Sequence, residues 1–137
     1  MHAPITVETV IHASPEKVWK HYTEPEHIMR WNNASPDWHT PRAENDLRVG
    51  GRFLSRMEAK DGSAGFDFTG IYDAVVPMER IAYTMDDGRK AAITFAPEGE
   101  GTHIAVTFDP ESENSLEMQQ SGWQAILDNF KKYAEGH

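Results

Sequence analysis

From Ile5 to His12 the chain reads ITVETVIH, with Ile5, Val7, Thr9 and Ile11 on one parity and Thr6, Glu8, Val10 and His12 on the other. A period of two marks a strand with one face buried, because successive side chains leave a pleated backbone on opposite sides. The period then changes. In SPEKVWKHYTEPEHIMRW, Val18, Trp19 and Tyr22, and then Ile28 and Trp31, recur at spacings of three and four, which gathers each set on one side of a helix. Ser14 before Pro15 and Glu24 before Pro25 are two helix starts in quick succession, since proline at the first helical position gives up an N–H that has no partner there anyway. Two short helices are predicted after the first strand.

The period of two returns from about Thr40 to Asp109. Gly50-Gly51, Asp61-Gly62, Pro77, Asp87-Gly88 and Gly99-Glu100-Gly101 break it at the spacings of an antiparallel meander. Phe53, Ser55 and Met57 alternate with Arg52, Leu54, Arg56 and Glu58, and Phe66, Phe68, Gly70 and Tyr72 alternate with Asp67, Thr69, Ile71 and Asp73. Ile81, Tyr83 and Met85, then Ala91, Ile93 and Phe95, then Ile104, Val106 and Phe108 continue the same apolar face. One sheet of about seven strands follows, and its apolar face has to be covered.

The one long amphipathic segment available is the last. Trp123, Ile126, Leu127, Phe130 and Ala134 fall at i, i+3, i+4, i+7 and i+11, with Gln124, Asp128, Lys131 and Lys132 on the other side. A helix from about Ser115 to Glu135 is therefore predicted to lie across the sheet. A twisted sheet of that width is not filled edge to edge by one helix roughly 10 Å across, so a gap is expected beneath it.

Composition narrows the function more than the fold. A chain of 137 residues is the size of one domain, and no internal repeat or linker-like stretch divides it. Cysteine is absent, which removes disulfides, thiolate nucleophiles and Cys-ligated metals, and fits a cytoplasmic protein. The first ten residues carry neither a basic nor a continuous apolar region, and no run approaches the ~18 apolar residues of a membrane span. A formal charge of -9, with Lys and Arg scattered among acids, argues against nucleic acid and anionic membrane surfaces as partners.

Candidate chemistry is sparse. No H-E-x-x-H occurs among the seven histidines, and the pairs Glu26-His27 and Asp37-x-His39 lack a third ligand at metal spacing, so no metal or other cofactor is expected. His103, Asp67 and Asp73 all fall on the polar parity of their strands. No G-x-S-x-G elbow appears, and Ser14, Ser55 and Ser121 have no His or acid beside them in sequence. Gly50-Gly51 reads as a tight turn rather than a phosphate nest, whose loop needs a longer glycine pattern. Asn33-Ala34-Ser35 has the form of a glycosylation acceptor, which has no meaning without export.

The segments ASPEKVWKHYTEPEHIMRWN, DLRVGGRF, FTGIYDAVVPMERIAYT and SGWQAILDNF, in that order, resemble the activator of heat-shock protein 90 ATPase homologue (AHSA-type) branch of the SRPBCC, or START-like and birch-pollen-allergen-like, helix-grip superfamily. The resemblance covers nearly the whole chain. It implies an α+β fold of order β-α-α-β-β-β-β-β-β-α, in which a seven-stranded antiparallel sheet grips the last helix around a cavity. It does not imply one reaction, since similar folds carry lipids, bind hormones, cyclise polyketides or serve as co-chaperone modules.

With a cavity implied, the inward aromatic set becomes its candidate wall: Trp31, Trp38, Phe53, Met57, Phe66, Phe68, Tyr72, Tyr83, Phe95, Trp123 and Leu127. Each alone would suit a packed core. Together they suit a site for a small apolar or amphipathic molecule, and the inward hydroxyls of Tyr72 and Tyr83 call for hydrogen-bond partners. Binding without catalysis is the leading expectation, because no inward acid-base pair is visible. The alternatives are a cyclase or lyase using Tyr72 or Tyr83 as proton donor, and a stress-response module that contacts a chaperone through its acidic surface.

Overall fold

The computed structural model describes residues 3–33 and 35–136. Ala34, the middle of the Asn33-Ala34-Ser35 triplet, lies outside the described residues, as do Met1, His2 and His137. The elements run β1 (Ile5–Ile11), α1 (Pro15–Thr23), α2 (Pro25–Trp31), β2 (Trp38–Asn45), β3 (Arg52–Ala59), β4 (Gly65–Val76), β5 (Arg80–Met85), β6 (Lys90–Glu98), β7 (Gly101–Phe108) and α3 (Leu116–Gly136). The strands form one seven-stranded antiparallel sheet in the order β1-β7-β6-β5-β4-β3-β2. This is the α+β helix-grip architecture, a sheet curled around a long C-terminal helix.

Local chemistry sets the boundaries. The Ser14 side chain accepts a hydrogen bond from the Lys17 N–H at 3.3 Å and so starts α1, whereas α2 begins at Glu24 without a side-chain cap and rests on Pro25 for its start. Between β2 and β3 the Gly50-Gly51 pair makes the tight turn. Gly50 sits at φ +83, and a Cβ on Gly51 would fall 2.0 Å from the Asp46 carbonyl oxygen, so no other residue fits there.

The sheet's inner face carries the core. Val7, Ile11, Ile81, Ile93, Ile104, Val106 and Phe108 are all buried on it, together with Val18 of α1 and Leu127, Phe130 and Ala134 of α3. The helix docks along the β1 edge. Here the pattern misplaced two residues: Gln124 and Lys131, expected on the solvent side, reach the β1 backbone instead. The Gln124 amide donates to the Glu8 carbonyl at 3.3 Å and the Lys131 ammonium donates to the Val10 carbonyl. Glu135 completes the clasp by accepting from the His12 N–H at 2.8 Å and from Lys131 at 2.7 Å. Long side chains can lie along a surface while their heads find a polar partner, which a wheel of apolar positions does not register.

At the far end of the sheet, α2 packs on β2. The Thr40 hydroxyl donates to the Asn32 carbonyl, and the Asn45 amide donates to the Thr23 carbonyl at 2.6 Å. Since α3 hugs β1, α1 packs on β6 and β7, and α2 packs on β2, the concave face of β3, β4 and β5 is left incompletely covered.

Candidate functional site: a cavity between the sheet and the last helix

That uncovered ground is a cavity of about 350 Å³. Its floor is the inner face of β3, β4 and β5; its walls are α1, α2 and the first half of α3. Phe53 of β3 is the hub, with ring centroids 5.5 Å from Phe68, 5.4 Å from Tyr72 and 4.7 Å from Tyr83. The Phe53 ring can lie flat over the sheet because its cross-strand partner is Gly70, which has no side chain to hold it off. Phe68 then reaches Trp123 of α3 at 6.4 Å, and Trp123 stacks on Phe108 at 4.1 Å with 9° between the planes. Aromatic contacts thus join the floor to the helix at the geometry that ring quadrupoles favour.

Of the eleven wall residues picked from the pattern, Trp31, Phe53, Met57, Phe66, Phe68, Tyr72, Tyr83, Trp123 and Leu127 line this space. Trp38 and Phe95 do not. Trp38 opens β2, where the register shifts between His39 and Arg42, and its ring stands 6.1 Å from Phe66 outside the lining. Phe95 is 4% exposed and is covered by α1, edge-on to Trp19 at 5.3 Å and to Tyr22 at 5.6 Å. Strand parity places a residue on the inner face but cannot tell a stretch roofed by α1 from one left open.

The pattern also passed over lining residues. Tyr22 of α1, Ser55 of β3 and Asn45 of β2 bring polar atoms to the cavity, and Arg89, Glu111 and Gln119 line it as well. Ser55 had a usable signal, since it shares a parity with Phe53 and Met57. Tyr22 had none, because a tyrosine on a helical stripe looks like any other packed residue.

The interior hydrogen bonding is partial. The Tyr72 hydroxyl donates to the Asn45 side-chain carbonyl, and the Asn45 amide donates one N–H to the Thr23 carbonyl. The hydroxyls of Tyr22, Tyr83 and Ser55 have no hydrogen-bond partner among the described residues. Burial raises the pKa of all three phenols above the usual tyrosine value; Tyr22 and Tyr83 are raised further by the neighbouring phenols, while the Asn45 hydrogen bond pulls Tyr72 down and Arg89 pulls Tyr83 down. They are neutral hydroxyls at physiological pH.

Charge is kept at the rim. Arg89 turns its guanidinium to the Asp87 carboxylate at 2.7 Å, Glu44 is paired with Arg42, and the Glu111 carboxylate accepts from the backbone of Glu113 and Asn114. The Gln119 side chain, 7% exposed, accepts from the Glu111 N–H at 2.8 Å and donates to the carbonyls of Glu111 and Asn114 at 3.0 and 2.9 Å. One amide therefore pins the segment that borders the opening.

Histidine and carboxylate groups lie elsewhere. His103 pairs with Glu8 at 3.1 Å, Asp67 with Arg56 at 3.4 Å, and Asp73 accepts from Thr84 at 2.6 Å, all on the outer face. At the α1–α2 junction the structure corrects the sequence reading of Glu26-His27. The bend brings in Glu24 as a third group, and one donor atom from each of Glu24, Glu26 and His27 lies within 4.8 Å of the others. His27 Nδ1 is already 2.6 Å from the Tyr133 hydroxyl, and Glu26 is exposed with its carboxyl held low chiefly by a backbone hydrogen bond. The three could hold a cation only weakly from such an open position.

A family model described as Activator of Hsp90 ATPase homolog 1-like protein matches residues 12–135. Among solved structures, an AHSA1-like protein of Aeromonas hydrophila is 50% identical with a TM-score of 0.91, the match covering 97% of this chain and 92% of that one. A protein of Cytophaga hutchinsonii is 55% identical with a TM-score of 0.85 over the same shares, and one of Chromobacterium violaceum is 27% identical with a TM-score of 0.87 over 98% and 99%. No curated protein matches the chain.

Proposed function

The chain belongs to the Activator of Hsp90 ATPase homolog 1-like family, and from that premise we propose that it binds a small, mostly apolar molecule in the cavity between the sheet and α3. The observation that carries the proposal is the cavity's construction: an aromatic floor and wall with a few converging polar atoms, at the lower end of the 300 to 1,000 Å³ usual for small-molecule sites. A chain seeking only stability would collapse such a space, because buried apolar surface left uncontacted forfeits dispersion and transfer energy.

Binding is favoured over catalysis by what the interior offers. General acid-base chemistry needs groups that exchange protons near neutral pH. The interior titratable groups are tyrosines driven the other way by burial, and the Tyr72 proton is engaged by Asn45. The test is a thermal-shift screen of uncharged aromatic and aliphatic metabolites. A ligand that binds only the folded state stabilises it by RT ln(1 + [L]/Kd), about 2.7 kcal/mol at a hundredfold excess. Hits recovered unchanged after hours of incubation support the binder. Turnover lost in Tyr83→Phe, with affinity retained, would instead establish the cyclase or lyase reading.

A further inference from the structure

The reading of the cavity as a binding site leaves open what kind of molecule it takes, and the hydroxyls inside it speak to that. Ser55 and Tyr83 are 6% and 8% exposed, both line the cavity, and neither hydroxyl has a partner among the described residues. Tyr22 of α1 adds a third hydroxyl to the lining. All three hydroxyls are open to the cavity, so their hydrogen bonding is completed by whatever occupies it.

Each open hydroxyl carries one O–H donor beside its lone pairs, and two of the three are neutral phenols, which donate more strongly than they accept. Asn45, the interior amide, has its carbonyl oxygen on Tyr72 and one N–H on Thr23. The open phenols therefore favour an acceptor on the ligand. Arg89, the lining residue that carries positive charge, has its Nε on the Asp87 carboxylate, and the lining also carries the carboxylates of Glu44 and Glu111. An anion brought into the cavity would lose its hydration for a countercharge that Asp87 already neutralises, a cost that hydroxyl donors alone do not recover. A pure hydrocarbon would leave the three hydroxyls dry and unpaired.

We propose that the ligand is an uncharged, ring-containing molecule with a carbonyl-type acceptor oxygen, seated so that the oxygen takes hydrogen bonds from Ser55, Tyr83 and Tyr22 while its apolar body lies against Phe53, Phe68 and Trp123. Tyr72, held by Asn45, is a fixed wall of that seat, and its ring lies 6.4 Å from that of Tyr83. The inference rests on the binding role proposed above and goes one step further, to the group the site recognises.

Three probes with one skeleton separate the possibilities by isothermal titration calorimetry: 2-acetylnaphthalene, 2-ethylnaphthalene and 2-naphthoate. The acetyl compound should bind about tenfold or more tighter than either of the others, the factor expected of one or two net hydrogen bonds. Tyr83→Phe and Ser55→Ala should each narrow the acetyl-to-ethyl ratio severalfold while leaving the affinity for 2-ethylnaphthalene within about twofold. Tyr72→Phe is avoided as a control because it frees the Asn45 carbonyl; Thr84→Val on the outer face serves instead and should change nothing. Equal binding of all three probes, preference for the naphthoate, or a ratio indifferent to both variants overturns the acceptor inference while the cavity stands as a site. Failure of all three to bind a protein with an unaltered melting curve overturns the inference and counts against the binding role as well.

Discussion

Gly70→Ala tests how the cavity floor is built, because it adds one methyl group at the point where Phe53 lies on the sheet. A Cβ there would fall 2.7 Å from Phe53 Cε2, 2.8 Å from Phe53 Cζ and 2.7 Å from the Thr84 carbonyl oxygen. Ordinary carbon contacts lie near 3.5 to 4.0 Å, so each neighbour has to retreat by roughly 1 Å. The ring can do so only by lifting off β4 into the cavity, away from Tyr83 at 4.7 Å and Phe68 at 5.5 Å. The Thr84 carbonyl belongs to β5, which pairs directly with β4, and it cannot move without disturbing that ladder. Overpacking of this kind costs about 1 to 3 kcal/mol. With a urea slope near 2 kcal/mol per molar, the denaturation midpoint should fall by roughly 0.5 to 1.5 M. Because the displaced ring occupies the cavity, the affinity for 2-acetylnaphthalene should fall as well. Gly122→Ala provides the opposite sign. Its Cβ meets nothing within 4 Å and it sits inside α3, so the same chemical change should stabilise by about 0.5 to 1 kcal/mol. If Gly70→Ala shifts the midpoint by less than about 0.2 M and leaves probe affinity intact, Phe53 does not rest on Gly70 as described and the account of the floor is wrong.

Two further outcomes follow from the helix. Leu127 is 3% exposed beneath α3, so Leu127→Ala should cost about 2 to 5 kcal/mol by chemical denaturation, and a loss below about 0.5 kcal/mol would place the side chain in solvent. Glu135 has its carboxyl pKa lowered from 4.5, first by the Lys131 hydrogen bond and then by the His12 N–H. A depressed folded-state value means its contribution is present above the unfolded-state value and disappears as pH falls through the depressed one. Glu135→Gln should therefore be less stable than the parent at pH 7 by no more than about 1 kcal/mol, given its partial exposure, with the gap closing on acidification below the ordinary carboxylate range. A gap that is constant from pH 7 to pH 3 would remove the ion pair from the β1–α3 clasp.

The order of elements was legible because each rests on a local rule. Alternation in ITVETVI, the Ser14-Pro15 start and the i, i+3, i+4, i+7 stripe from Trp123 to Phe130 all act within a few residues of themselves. The cavity was legible only in part, since its wall is defined by what fails to cover the sheet. Phe53 and Phe95 share the inner face and differ in whether α1 reaches them. Trp38 shares the inner face, opposite Ala59, but sits at the end of the edge strand beyond the lining, a position that parity does not register. Asn45 and Gln119 were missed for another reason. Their roles come from bonds to Tyr72 and to the backbone of Glu111 and Asn114, and such roles exist only after the chain has brought distant segments together. Glu24 joined His27 by the same route, through the bend between two short helices.

The central claim is that this cavity takes an uncharged molecule between the sheet and α3, and isotope-filtered NMR of labelled protein with 2-acetylnaphthalene tests it most directly. Intermolecular NOEs are expected from the naphthalene protons to the rings of Phe53, Phe68 and Trp123, and from the acetyl methyl to Tyr83. NOEs confined to the outer face around Ala82, Ala92 and Thr107, or none at a probe concentration that saturates the calorimetric signal, would contradict it.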